Sequence, residues 1–521
     1  MADPKDNSYD VVPYIDKPFH FTHPRHLETM ATLFGMSPKP IGECRVLELG
    51  CAGGGNIIPM AVDLPDSRFL GIDLSEYQIG QGQEVIAELG VDNIQLRHAN
   101  ILDIDECWGQ FDYIICHGIF SWVPGEVREK ILKICRDNMA PQGVAFISYN
   151  TYPGWHNAKI IRDLMLHHVK HIDDPREKIN QAKSVLAFMA NSSNGNTATG
   201  RAYREELASM DKTSNNSHVF HEYLEQFNNP FYLHEFVSQA ESHGLQYLSN
   251  ANLKGTLPHL YPPEIRDAIA PLPLVEQEQY LDFIAGTRFR RSLLCHAEVT
   301  LNRSISDKQI ANHYIGLTTI PEHPPVKINN DREVAFKVEG GSMTSGNRLF
   351  KATTMYLKEI FPDSVGFDKL YQTGMSRLGL SSEQAGNDPD ASPDVLAGQI
   401  LIGMFSGLFR LSLSPPRYVG KPGKCPTVGL LPRLQASRGD SATSQLHTPV
   451  KMGEVMRHVV RRLDGKHDRN DLVRGVREAV ESGEIVVNAA NGKKVQRVAD
   501  SDIAAAVDKT LKQVTETGLL S

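Results

Sequence analysis

Between residues 41 and 150 short apolar runs alternate with helix-length segments. The first joint is Val46-Leu-Glu-Leu-Gly-Cys-Ala-Gly-Gly-Gly-Asn56, a buried strand, a glycine loop and the start of a helix. Strands are expected at Arg45–Leu49, Arg68–Ile72, Ile94–His98, Tyr113–His117 and Val144–Tyr149, with helices at about 56–63, 75–89 and 125–139. Strands separated by helices need right-handed crossovers, which give a parallel sheet covered on both faces. The class is therefore α/β, doubly wound. In such folds a ligand sits beyond the carboxyl ends of the strands. The glycines let backbone N–H groups at a helix N-terminus reach a polar ligand that a Cβ would block.

Asp73 ends the second strand and can accept hydrogen bonds from both hydroxyls of a ribose. Gly50, Ala52, Gly54 and Asp73 thus describe an adenosine-containing ligand. Gly50-x-Ala52-x-x-Gly55 also fits a loose dinucleotide fingerprint. Two details favour another ligand. Glu48, inside the strand, would crowd a pyrophosphate but suits an amino group. After the third strand, Asn100 can read the adenine amino group while Ile101 stacks on the ring; Leu74, beside Asp73, belongs to the same set. A zwitterionic amino-acid tail joined to adenosine is S-adenosylmethionine.

These motifs, together with Phe111-Asp-Tyr-Ile-Ile-Cys-His117, resemble the successive motifs of class I S-adenosylmethionine-dependent methyltransferases, with Ala52 where a glycine is usual. Further stretches are similar to bacterial methyltransferases carrying a methyltransferase regulatory domain. They are Tyr9-Asp-Val-Val-Pro-Tyr14, Phe21-Thr-His-Pro24, Leu33-Phe-Gly-Met36, His117-Gly-Ile-Phe-Ser-Trp-Val-Pro124 and Tyr149-Asn-Thr-Tyr-Pro-Gly-Trp155. Among that family are rickettsial lysine methyltransferases acting on outer-membrane protein B. The resemblance covers about residues 1–300 and continues more weakly through Leu349–Phe361 and Leu463–Arg469. It implies a Rossmann-like sheet, S-adenosylmethionine as methyl donor and a protein lysine as acceptor. A small-molecule or RNA acceptor, or a cofactor-binding module without turnover, remains open because fold does not fix the acceptor.

For the acceptor site the fourth and fifth strand ends bring His117, Trp122, Tyr149, Asn150, Tyr152 and Trp155 toward the reactive methyl. Aromatic faces suit a sulfonium or an amine. Tyr149 and Asn150 are expected to orient an amine lone pair by accepting its N–H protons, with His117 beside them. A well-packed turn is the alternative reading of Tyr149–Trp155, core packing that of Trp122, and a strand-end hydrogen bond without a general-base role that of His117. Tyr14 and Phe21-Thr-His23 fit either a lid over the cofactor or packing of the N-terminus.

The remaining residues extend this plan. At roughly 150 residues per domain, 521 residues suggest about three domains. A helical insertion is expected over about 155–243, broken by the polar stretch Asn191–Gly200. Leu245–Leu248 and Arg288–Leu294 then read as late strands of the sheet. Residues 303–345 read as a connector with a hairpin of Val326–Ile328 and Val334–Val338. Val395–Leu413, apolar enough to imitate a membrane span, reads as a buried helix over about 393–405 followed by a strand. Helices at 454–482 and 501–517 flank a hairpin of Ile485–Val487 and Val495–Val498 around Asn491-Gly492. The expected domains are 1–302 (catalytic), 303–440 (connector and middle, helix-rich and winged-helix-like) and 441–521 (C-terminal, winged-helix-like).

A net charge of −8 speaks against an overall grip on nucleic acid or anionic membrane. The basic residues Lys451, Arg457, Arg461, Arg462, Lys466, Arg469, Arg474 and Arg477 interleave with acids and read as a solvated face. Seven cysteines without a CxxC pair imply reduced thiols in a cytoplasmic protein. The start, MADPKDNSYD, lacks the pattern of a secretory signal. No metal site is expected, since the histidines lack carboxylates at ligand spacing. A protein acceptor and a homodimer are the partners compatible with this reading.

Overall fold

The computed structural model describes residues 16–213, 216–254, 256, 261–338, 341–381, 388–415, 420–486 and 498–521. They form two compact units, one of residues up to 16 and 36–301, the other of residues 17–35 and 302–521. Residues 17–35, expected with the catalytic domain, therefore group with the C-terminal half.

The first unit is built on a seven-stranded sheet in the order β3-β2-β1-β4-β5-β7-β6. Its strands are β1 (Arg45–Leu49), β2 (Arg68–Asp73), β3 (Ile94–His98), β4 (Phe111–Cys116), β5 (Met139–Asn150), β6 (Leu245–Asn250) and β7 (Phe289–His296). β1 to β5 pair in parallel, whereas β7 runs antiparallel to both β5 and β6. The expected parallel sheet is thus mixed. The late strands do join it, with β7 inserted between β5 and β6.

Local chemistry fixes the helices. Ser75 Oγ accepts the N–H of Gln78 (3.1 Å) at the start of Glu76–Leu89, and Gly90, at φ +66°, ends that helix. The core around β1, β4 and β5 includes Leu47, Ile114, Ile147 and Tyr149. The insertion comprises Trp155–Val169, Pro175–Ser192 and Ala198–Thr213, packed on Ile161, Met165, Leu186 and Tyr223. The polar stretch expected as a loop supplies the ends of two of these helices and only a short turn between them.

Arg290 on β7 is 1% exposed. Its guanidinium donates to Asp282 (2.7 Å) and Glu278 (2.8 Å), and the Tyr247 hydroxyl donates to Glu278 (2.8 Å). All three acceptor bonds are charge-assisted, which is what holds such ions in a core.

The second unit contains two apolar cores. Leu33, from the helix Pro24–Leu33, lies in the first with Ile315, Phe336, Phe350 and Phe409. This core covers a sheet of β8 (Tyr314–Leu317), β11 (Ser364–Gly366) and β12 (Phe409–Ser412) in the order β11-β8-β12. β9 (Val334–Val338) does form a hairpin, but its partner is β10 (Gly341–Ser345), not Val326–Ile328. Lys337 of β9 also exchanges both backbone hydrogen bonds with Glu322, ahead of Pro324 and Pro325, while Met343 and Ser345 supply the inward face of β10. The apolar run resolves into helix Pro393–Phe405 and strand β12. Among the described residues no helix is long and apolar enough to cross a membrane.

The second core gathers Val428, Ala436, Val459, Leu472, Val507 and Leu520, around β13 (Ser441–Thr443) and β14 (Pro449–Lys451). It starts ahead of residue 440. The expected C-terminal hairpin lies largely outside the described residues. Arg461, Arg469, Arg474 and Arg477 are each ion-paired within this region, to Glu484, Asp508, Asp471 and Asp500.

Candidate active site

The glycine loop follows β1 because the chain must turn sharply back over the sheet. Gly50, Ala52 and Gly54 all have positive φ, at +72°, +49° and +85°. A Cβ on Gly50 would run into the Ile119 side chain of the loop after β4, so the two loops meet there. Ala52 adopts the left-handed conformation that a glycine would take freely, at a cost of about 1–2 kcal/mol. The conformation is held by Asp73, whose Oδ2 accepts the Ala52 N–H (2.8 Å) and whose Oδ1 accepts the Ser75 N–H (2.9 Å).

Glu48 is 3% exposed. Its Oε1 accepts from Asn56 Nδ2 (2.6 Å), while Oε2 is buried with no hydrogen-bond partner among the described residues. Burial foremost pushes the carboxyl up to about 8, against the pull of Asn56, with the negative charges of Asp16 and Asp73 adding to the rise. Asp16, from outside the sheet, accepts the Gly55 N–H through Oδ1 (2.7 Å). Asp16 is exposed as a residue, yet desolvation at its carboxyl, and then the Asp73 charge, raise it to about 7. Leu74 is 59% exposed beside Asp73. Asn100 caps the turn Ile101–Asp103 by accepting the Leu102 N–H through Oδ1 (3.0 Å), and Ile101 packs partly buried against the core.

The residues fit a bound S-adenosylmethionine. The lone buried oxygen of Glu48 suits an ammonium, the fixed Asp73 carboxylate a vicinal diol, and the exposed Leu74 an apolar ring face. Among the described residues no group of three His, Cys, Asp or Glu could hold a metal ion.

At the end of β4, His117 Nδ1 lies 2.7 Å from Ser148 Oγ, which also accepts the Gly118 N–H (2.8 Å). Phe146 and Phe289 stand edge-on to the imidazole. Asn150 is buried. Its N–H donates to Ser121 Oγ (2.9 Å), and its Nδ2 donates to Asn228 Oδ1 (3.2 Å), while Asn228 Nδ2 is buried with no partner among the described residues. Trp122 stands edge-on to the buried Trp155 (6.3 Å), whose ring faces the Arg288 guanidinium (6.0 Å). Tyr152 stacks on His156 (4.2 Å).

Tyr149 departs from its expected place. Side chains alternate along a strand, so Ser148 and Asn150 share one face of β5 and Tyr149 takes the other. Its ring stacks on Phe236 (4.2 Å), its hydroxyl lies 3.0 Å from Ser292 Oγ, and it is 1% exposed. Burial raises the phenol well above its ordinary range. Tyr14 lies outside the described residues. Phe21, Thr22 and His23 form the entry to helix Pro24–Leu33, where His23 Nδ1 accepts the Arg25 N–H (3.2 Å).

Asp16, Ser148 and Asn228 were not singled out by sequence. Asp16 and Asn228 reach the site across long sequence separations. Ser148 was readable, because strand alternation puts it on the face of Asn150.

Three stretches match known families: residues 46–143 a "Methyltransferase domain", 215–296 a "Predicted methyltransferase regulatory domain", and 425–519 a "PKMT, C-terminal winged helix domain". The protein RP789 of Rickettsia prowazekii (strain Madrid E) is 34% identical over 500 residues, spanning 94% of this chain and 89% of that one. RP028 of the same organism is 40% identical over 234 residues, 45% of this chain and 94% of that one. The structure of PKMT2 from Rickettsia typhi aligns with a TM-score of 0.86 at 28% identity, covering 97% of this chain and 100% of that one. The same protein in complex with AdoHcy aligns at 0.85 and 27% identity, covering 98% and 100%. With this family-wide match and a site suited to the cofactor, the chain belongs to the class I S-adenosylmethionine-dependent methyltransferases that carry the methyltransferase regulatory domain and the PKMT winged helix.

Proposed function

We propose that the chain methylates a lysine ε-amine of a protein acceptor. The observation that carries this reading is the likeness to PKMT2 of Rickettsia typhi over nearly the whole of both chains, regulatory and winged-helix regions included. The pair Asn150–Asn228 supports it, because each side-chain amide has a carbonyl oxygen that can accept an amine N–H proton, Asn228 Oδ1 keeping a second lone pair beyond the bond it takes from Asn150 Nδ2.

The residues divide as follows in this proposal. Glu48, Gly50, Ala52 and Gly54 hold the amino-acid tail, Asp73 the ribose, Asn100 the adenine edge, and Leu74 and Ile101 its faces. His117, fixed by Ser148, borders the reacting centre. Asn150 orients the amine, and Trp122, Tyr152 and Trp155 line its approach. Tyr149 acts through packing alone. When bound, S-adenosylmethionine supplies an electrophilic methyl group on a sulfonium. The chain's own contribution is alignment and exclusion of water, which is worth several orders of magnitude when geometry is tight. Only a neutral amine has the lone pair to attack, and a desolvated aromatic setting lowers an amine's pKa without a strong base. Residues 36–301 form the catalytic body, and the winged-helix region serves acceptor recognition. The free cysteines support a cytoplasmic setting.

The test is transfer of labelled methyl from S-adenosylmethionine into a bacterial lysate separated into protein, nucleic-acid and small-molecule fractions. Label on protein lysine, absent with Asp73→Ala, is the expected result. Label confined to another fraction overturns the lysine reading and moves the acceptor there.

A further inference from the structure

Asp16 lies outside every motif of the sheet, yet its carboxylate is built into the glycine loop. Its Oδ1 takes the Gly55 N–H at 2.7 Å. A Cβ on Gly53 would fall 2.6 Å from Asp16 Oδ2, and one on Gly55 2.6 Å from its carboxyl carbon. Two glycines therefore make room for this group. The groups acting on its charge are Asp73 and the Gly55 and Gly53 amides. Glu48 in turn feels Asp16 and Asp73, and the buried Cys51 thiol is pushed up by all three carboxyls after burial itself. Independently, Glu48 Oε2 is buried with no hydrogen-bond partner among the described residues, so within them the cluster lacks a donor or a cation.

We propose that Asp16 is a specificity residue of the cofactor site, which with Glu48 and Asp73 makes the glycine loop a receptor for the cationic methyl donor over its neutral product. The inference rests on the proposed assignment of Glu48 and Asp73 to the cofactor. S-adenosylmethionine carries an ammonium, a carboxylate and a sulfonium; S-adenosylhomocysteine has lost the sulfonium charge. Glu48 is buried, Asp73 half-buried and Asp16 exposed, and three neighbouring carboxyls with no cation beside them oppose one another's ionisation. A ligand bringing the extra positive charge lets them ionise, and the protons leave to solvent. Donor binding is therefore linked to proton release more strongly than product binding, and spent cofactor is released in favour of fresh donor.

Calorimetric titration of the full-length chain with each ligand tests this. In the wild type the affinity ratio of donor to product should climb by about tenfold from roughly pH 6 to pH 9. Asp16→Asn should lower the ratio at high pH by about fivefold or more, the scale of one partly screened charge, and flatten its pH dependence. Asp16→Glu should restore both. A ratio unchanged in Asp16→Asn overturns the proposal. So does a pH-independent ratio in the wild type, which decides the matter even if the variant binds neither ligand. If Asp73→Ala keeps full donor affinity while folded, the cofactor-site assignment itself fails, a different result from the failure of Asp16.

Discussion

Asp73 Oδ2 accepts the N–H of Ala52 across 2.8 Å, tying the end of β2 to the one non-glycine residue of the loop after β1 that sits at positive φ. The bond holds a backbone conformation that alanine resists. Ala52→Gly should therefore raise stability. Relief of about 1–2 kcal/mol of left-handed strain is partly offset by about 0.4–1 kcal/mol of extra chain entropy in the unfolded state. The expected net is a gain of about 0.5–1 kcal/mol, read as a higher Tm, with donor affinity unchanged.

Each oxygen of the same carboxylate accepts a backbone N–H, from Ala52 and Ser75, which fixes the plane of the group. Asp73→Ala should weaken donor binding by at least about a hundredfold, the loss of two charge-assisted hydrogen bonds. Calorimetry reads the affinity and circular dichroism the fold. Retained affinity would remove Asp73 from the cofactor site.

Strand alternation separates the roles of two adjacent residues. Tyr149→Phe removes a hydroxyl that lies against Ser292 Oγ within the core, and should leave kcat within about twofold while costing about 1 kcal/mol of stability. Asn150→Ala should lower kcat by about tenfold to a hundredfold, with donor affinity unchanged, if it orients the amine. Equal loss of kcat in both variants would contradict the division of faces.

The glycine loop, Asp73 and Asn100 were legible because each is a local pattern, a strand end followed by a turn. The β/α alternation fixed five strands for the same reason. Tyr149 was misplaced although the period of two along β5 already puts it opposite Asn150. The direction of β7 was not legible, since insertion between β5 and β6 is decided by pairing across the insertion helices. Asp16 was hidden because its partner Gly55 lies 39 residues on. The partner of β9 is not legible because β10 is Gly-Ser-Met-Thr-Ser, a polar run whose alternate burial only pairing explains.

Arg290 supplies a stability test away from the chemistry. Arg290→Met would leave Glu278 and Asp282 buried without their cation. The expected loss is about 3–5 kcal/mol, measured by denaturant unfolding. Replacing all three by apolar residues of similar volume should recover much of it. A loss below about 1 kcal/mol would mean that water enters and solvates the pair.

The acidic loop also predicts how the cofactor-free chain responds to pH. In the folded state Glu48 and Asp16 hold their protons up to about 8 and about 7. In the unfolded chain they release them near the ordinary carboxyl values of 4.5 and 3.8. Between those limits the folded state binds more protons, so its stability falls as pH rises. The contribution is fully present below the unfolded values and is lost progressively up to the folded ones. The unfolding free energy should therefore decline from about pH 5 to pH 8 by more than about 1 kcal/mol, read by denaturant unfolding at each pH. Glu48→Gln should flatten this decline, because a neutral amide has no proton to lose. Saturating S-adenosylmethionine should flatten it too, by placing positive charge against the ionised groups. Glu222, which burial pushes up to about 7, adds a background that neither change removes. A decline of the same slope in Glu48→Gln and wild type would show that the loop carboxyls are ionised in the free protein.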